Sequence, residues 1–167
     1  MLERSFERDI IPMARAEGLA LAPFDVLGGG KIRSDAEEAR RRETGEKGRM
    51  IFTPEWERTE EERKVCLILE EIAKEVGVES ITSGALALYD EMSVSHTDQP
   101  CWLVAIAYVL HKTPYVFPII GGRKVEHLKQ NVQALDISLS PEQIQRIENA
   151  KPFDLGFPGN YSVRTPI

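Results

Sequence analysis

The chain has 167 residues, enough for one domain, and its 42% apolar content is enough to build a core. A net charge of −6 and a pI near 5.2 argue against nucleic acid and anionic membranes as partners. The longest apolar run, residues 102–110, is far too short to span a bilayer, and the charged start MLERSFERD lacks the apolar h-region of a secretory signal. With Cys66 and Cys101 the only cysteines, a reduced, cytoplasmic protein is the simplest expectation.

Residues 1–17 read as a helix, with Phe6, Ile10, Met13 and Ala14 on one face. Gly18 fits a C′ stop, and Pro12 fits if the helix starts near Asp9. Residues 19–22, Leu-Ala-Leu-Ala, form a short apolar run without polar alternation, the pattern of a parallel strand buried on both faces. After Pro23, Gly28-Gly29-Gly30 makes a turn that is either positive in φ or mobile. Ser34-Asp35-Ala36-Glu37 is a capping box opening a helix to about Arg42, whose Glu and Arg run reads as a solvated face. By composition, 45–54 is a loop.

Thr59-Glu60-Glu61-Glu62 is a second capping box. The helix it opens runs through Val76 to Gly77 and buries Val65, Leu69, Ile72 and Val76. Cys66 sits beside that stripe and reads as packing, because no histidine pattern supports an activated nucleophile. Residues 83–103 contain Pro100 and several poor helix formers. Ser140-Pro141-Glu142-Gln143 starts a further helix with proline at N1, turning Ile144 and Ile147 inward. The tail, 151–167, has glycine, proline and aromatics but no periodicity. His96, His111 and His127 show no metal-ligand spacing; His96 and His111 read as surface or capping residues, and no metal site is expected.

The chemistry concentrates in VFPIIGGRKVEHLKQN, residues 116–131. Tyr115 to Ile120 has the length and content of a strand. The run breaks at Gly121-Gly122 and becomes helical, with Val125, Leu128, Val132 and Leu135 on one apolar stripe. A strand, a glycine turn and a helix N-terminus point backbone N–H groups and the positive end of a helix dipole outward, which suits an anion. Arg123 could hold a phosphate bidentately. The local pattern fits equally a solvated basic turn after a core strand, and the P-loop spacing G-x-x-x-x-G-K-[ST] is absent.

These blocks together resemble the aldo-keto reductases, in particular the fungal aryl-alcohol dehydrogenase and norsolorinic acid reductase group. Residues 116–131 look like the family's last strand and helix, LALAPFDVLGGGK at 19–31 like its seventh strand and following loop, and PFDLGFPGNY at 152–161 like the start of the group's tail. The resemblance implies an α/β fold, a (β/α)8 TIM barrel, of which this helix-rich chain carries only the C-terminal half. It implies NADP as cofactor and reduction of aryl or other hydrophobic aldehydes and ketones, or oxidation of the alcohols. The 2′-phosphate and adenine would lie against Gly121, Gly122, Arg123, His127, Gln130 and Asn131. The pyrophosphate and nicotinamide side would lie against Ala22, Pro23, Phe24 and Val26, with Lys31 near a phosphate. Ala22 stands where many relatives have serine, and His127 where they often have glutamine.

The segment 83–103 departs from the family, in which a sequence like 79–82 runs directly into one like 104–109. It reads as an unremoved in-frame intron or an altered gene model, the rival being a substrate lid carrying Tyr89, Asp98 and Trp102. Family catalysis rests on an aspartate, a tyrosine, a lysine and a histidine, the tyrosine giving a proton to the carbonyl oxygen as hydride leaves the nicotinamide. All four belong to family segments before the point where this chain begins. Tyr89, Tyr108, Tyr115 and Tyr161 match none of them, so no catalytic residue is assigned. A closed barrel takes roughly 250 residues. Two strands cannot close one, so a sheet this small would be covered by helices in an open α/β arrangement, with an oligomer or a missing N-terminal half as the expected partner. The rival to an enzyme is a truncated, non-catalytic remnant.

Overall fold

The computed structural model describes residues 1–47, 55–77, 101–122 and 125–156. Among them run six α-helices: α1 (Ile10–Glu17), α2 (Asp35–Thr44), α3 (Glu60–Glu75), α4 (Cys101–Lys112), α5 (Val125–Val132) and α6 (Pro141–Ala150). Short 3-10 turns lie at Ser5–Glu7, Gly28–Gly30 and Gln133–Asp136.

Helix starts follow their side chains. Thr59 accepts the Glu62 N–H while the Glu62 carboxylate accepts the Thr59 N–H, and Ser140 and Gln143 repeat the exchange at α6. Ser34 accepts the Glu37 N–H, but Glu37 turns to Arg40 and Arg41 instead of closing the box. α1 starts after Asp9, with Pro12 in its first turn, and stops at a left-handed Gly18.

α4 is apolar on every side and therefore sits at the centre. Cys101 and every residue from Leu103 to Tyr108 are at most 2% exposed. α3 covers it with Val65, Cys66, Leu69 and Ile72, and α6 closes the core with Ile147 and Ala150. Ala134, Ile137, Leu139 and Ile32 complete the same buried cluster. At its far end Arg4 donates to the carbonyls of Glu148 and Lys151, pinning the N-terminal turn to α6. The last residues of the segment read as inserted, Cys101, Trp102 and Leu103, are helical and belong to α4, while 83–100 lie outside the described residues.

The two apolar runs pair in parallel. Leu21 bridges Val116; the Leu21 N–H donates to Tyr115 O (2.9 Å), Phe117 N–H to Leu21 O (2.8 Å) and Ile119 N–H to Pro23 O (2.8 Å). This one bridge is the β structure of the described residues, shorter than the two strands expected.

Three sequence expectations are corrected. The run 19–22 is not buried on both faces: Leu19 is 50% exposed and Ala22 is exposed, because among the described residues no second strand or helix lies over them. The stripe Val125, Leu128, Val132 and Leu135 is exposed along its whole length, and the 3-10 turn after α5 meets the core through Ala134 instead. The charged face of α2 is not all solvated, since Glu38 is only 3% exposed.

Candidate functional site

The parallel bridge decides where the site residues go. It runs the two segments side by side, so both leave the pair at the same end. Pro23 lies hydrogen-bonded beside Ile119, and the chain continues on one side into Phe24 to Lys31 and on the other into Gly121 and Gly122. The C-terminal edge of parallel strands is where such sheets hold ligands, because loops and helix N-termini converge there.

Gly121 and Gly122 are exposed, and a Cβ on Gly121 would meet nothing within 4 Å. Gly122 differs: a Cβ there would lie 2.9 Å from the Cβ of His127. The missing side chain lets the turn and the first turns of α5 touch. His127 is exposed, Gln130 and Asn131 are half-buried, and His127 and Asn131 share a face one turn apart. Arg123 lies outside the described residues. Across the pair, Ala22 is exposed, Phe24 is 69% exposed, and Pro23 is half-buried; Val26 is half-buried and packs on the core.

Lys31 is not free to serve a phosphate unopposed. Its ammonium lies 3.0 Å from Glu62 Oε1 and 3.2 Å from Oε2. Burial works against the charge on Glu62, but the Thr59 N–H and the Lys31 ammonium hold its carboxyl below the usual carboxylate range. A phosphate at Lys31 would share it with Glu62.

The loop between these points has a frame of its own. Asp25 takes a left-handed conformation (φ 56°), and its carboxylate accepts the Gly29 N–H at 2.6 Å. Gly28, Gly29 and Gly30 are all positive in φ, the reason this turn is built of glycine. Arg33 then locks it, donating to Gly30 O (2.8 Å), Trp56 O (2.6 Å) and Glu38 Oε2 (2.9 Å), its guanidinium over the Trp56 ring. Glu38 also receives Arg58 Nε at 2.7 Å. Burial opposes its ionisation, yet Arg58 and Arg33 keep its carboxyl below the usual range. The sequence reading missed Asp25 and Arg33. The signal for both was their position, flanking the glycine run.

The edge can hold a polar or anionic ligand, but neither Tyr108 nor Tyr115 lies beside the glycine turn. Burial pushes the Tyr108 phenol up to about 12, and it lies buried against Glu148 and Lys112. Tyr115 stands at the opposite end of its segment from the glycine turn. His111 turns its Nδ1 to the Ala107 carbonyl (2.7 Å), as a helix-end residue does. Cys66 is fully buried and burial pushes its thiol up, which suits packing. No metal-binding group of side chains occurs among the described residues, and no described helix is long and apolar enough to cross a membrane.

Residues 1–152 match the model of the aldo/keto reductase family. The chain is 53% identical over 156 residues to an aryl-alcohol dehydrogenase of Phanerodontia chrysosporium whose name specifies NADP(+), covering 93% of this chain and 35% of that relative. It is 42% identical over 163 residues to norsolorinic acid reductase A of Aspergillus parasiticus, covering 98% of this chain and 34% of the relative. A putative aryl-alcohol dehydrogenase of Saccharomyces cerevisiae is 44% identical over 149 residues, with 89% of this chain and 84% of that relative covered. The chain thus spans about a third of the first two and most of the third.

Proposed function

The chain belongs to the aldo/keto reductase family, whose fold is a (β/α)8 barrel, and from that premise we propose that it carries the adenosine-phosphate end of an NADP-dependent oxidoreductase acting on aryl or other hydrophobic aldehydes and alcohols. The observation that carries the reading is the parallel pairing of Leu21 with Val116. That pairing brings the 22–31 block and the 121–131 block to one edge. Gly121, Gly122 and Arg123 would hold the 2′-phosphate, with His127, Gln130 and Asn131 beside the adenosine. Phe24 and Val26 would give the other end of the cofactor an apolar wall. When bound, the cofactor supplies the hydride. This chain's residues bind and orient it.

The edge fits such a group: among the described residues Gly121 and Gly122 are exposed there, and the described part of α5 starts at Val125. A second reading, a non-catalytic remnant, is favoured by the placement of Tyr108 and Tyr115 away from that edge. Calorimetry of NADPH against NADH on the 167-residue chain separates the two. The oxidoreductase reading expects NADPH to bind at least ~10-fold more tightly, with the preference lost in Arg123→Ala, since a bidentate charge-assisted contact is worth roughly 1.4 kcal/mol or more. A folded chain that binds neither nucleotide leaves the remnant.

A further inference from the structure

We propose that Glu62 sets the affinity of the candidate site for the cofactor's pyrophosphate, as a carboxylate that Lys31 must leave or share when a phosphate arrives. This role rests on the cofactor reading above and falls to a residue that reading does not use.

Lys31 follows the glycine run directly, and its main chain is fixed. Its N–H donates to Gly28 O (3.1 Å), and its carbonyl accepts the Cys66 thiol (3.4 Å), which ties it to α3. The side chain is left to change partner, a flexible four-carbon stem ending in three rotatable donors. At present both oxygens of Glu62 face its ammonium, at 3.0 and 3.2 Å. The two side chains are 15% and 19% exposed, so their attraction is screened less than on an open surface. Arg33, the next basic residue along, is a different case. It is 3% exposed and donates to Glu38, Gly30 O and Trp56 O, so its guanidinium is not free to turn to a ligand.

Glu62 cannot retreat as Lys31 can. Its Oε2 also accepts the Thr59 N–H (2.8 Å), and its own N–H donates to the Thr59 hydroxyl (3.2 Å), so this carboxylate belongs to the box that starts α3. A phosphate therefore meets a lysine whose charge is already opposed by an anion fixed to a helix. If the ammonium swings away, it gives up its attraction to Glu62; if it is shared, two anions are brought together. Both weaken binding. Pyrophosphate is common to NADPH and NADH, so the weakening falls on both alike. That separates Glu62 from Arg123, whose partner would be the 2′-phosphate that only NADPH carries.

The molecule itself contains the substitution that isolates the charge. At α6 the same box is closed by a glutamine, the Ser140 N–H donating to Gln143 Oε1 (3.0 Å). Glu62→Gln therefore keeps the start of α3 and removes the anion. The test is calorimetry of the 167-residue chain, parent against Glu62→Gln, with NADPH, NADH and inorganic pyrophosphate. All three are expected to bind about 3- to 10-fold more tightly to the variant, with the ratio of NADPH to NADH affinity unchanged and helicity retained. Adding Lys31→Gln should return the affinity to that of the parent or below. Equal or weaker binding by Glu62→Gln overturns the proposal, as does tightening for NADPH alone or tightening that persists in full without Lys31. The outcomes also separate the two readings. Nucleotide binding that ignores Glu62→Gln sinks the role of Glu62 and leaves the cofactor reading. Pyrophosphate binding that tightens in the variant, with neither nucleotide bound, sinks the cofactor reading and leaves the role of Glu62. No binding to either form sinks both.

Discussion

Glu38 holds more of the molecule in place than its setting in a run of charges suggests. Its side chain is 4% exposed, and one oxygen meets both Arg33 and Arg58, whose own side chains are 3% and 1% exposed. Arg33 in turn fixes Gly30 and Trp56, so the glycine loop of the candidate site hangs from this carboxylate. Removing one partner of a buried ion cluster leaves charge uncompensated, and Glu38→Gln is expected to cost about 2–4 kcal/mol in denaturant unfolding. The pH dependence has a definite sign. The folded carboxyl titrates below its ordinary value of 4.5, so its stabilisation is complete above that pH and disappears as pH falls through the lower folded value. Between pH 6 and 3 the unfolding midpoint of the parent should therefore fall more steeply than that of Glu38→Gln; equal slopes would show that the cluster does not depend on the charge. Sequence could find Ser34 as a cap, since the cap is local. It could not find Glu38, because Arg58 lies twenty positions away and charge alone does not distinguish a surface helix from a buried cluster.

At the scale of elements, α3 and α5 have the same apolar periodicity and opposite fates. Leu69 on α3 is 0% exposed, whereas Leu128 on α5 is 62% exposed. The same substitution should separate them. Leu69→Ala is expected to cost about 2–5 kcal/mol from lost burial and the cavity, and Leu128→Ala less than about 0.5 kcal/mol. Chemical denaturation of both variants checks this, and a cost above 1 kcal/mol at Leu128 would mean that α5 packs on its stripe. Periodicity says that a face is apolar; it does not say what covers it. The same limit explains why helix starts at Thr59 and Ser140 were legible and the exposure of 19–22 was not. Capping is settled within four residues, and burial by chain far away. The segment 83–103 shows a related effect. A message joining Thr82 directly to Val104 would put Ser80 and Thr82 where Cys101 and Leu103 now sit in the core. Transcript sequencing tells which pair the cell uses: a uniform message containing these codons ends the intron hypothesis.

At the largest scale, the described residues form a helical core with a short parallel pair whose Leu19, Ala22, Phe117 and Ile119 are exposed. The core is self-consistent: α3 and the 133–139 connection pack on α4, α6 packs on α3, and Arg4 ties the N-terminal turn to the end of α6. The candidate site lies at the border between that core and the parallel pair. Its geometry was legible in part, because two strand-like runs with glycine turns pointed to one edge, while the Lys31–Glu62 pair and the Arg33 lock depended on α3 and on the 55–58 stretch arriving from elsewhere. Burial of both cysteines has a practical consequence. Cys66 and Cys101 are the chain's only thiols, and each is 0% exposed in the heart of the α3–α4 contact. The native protein should be silent to a disulfide reagent, and colour should develop only as fast as helices α3 and α4 part. The reagent then serves as a clock for core opening that needs no engineered label. Slow release of two equivalents in one phase would mean that the helices separate as a unit, and an immediate burst would mean that the core is already open to water.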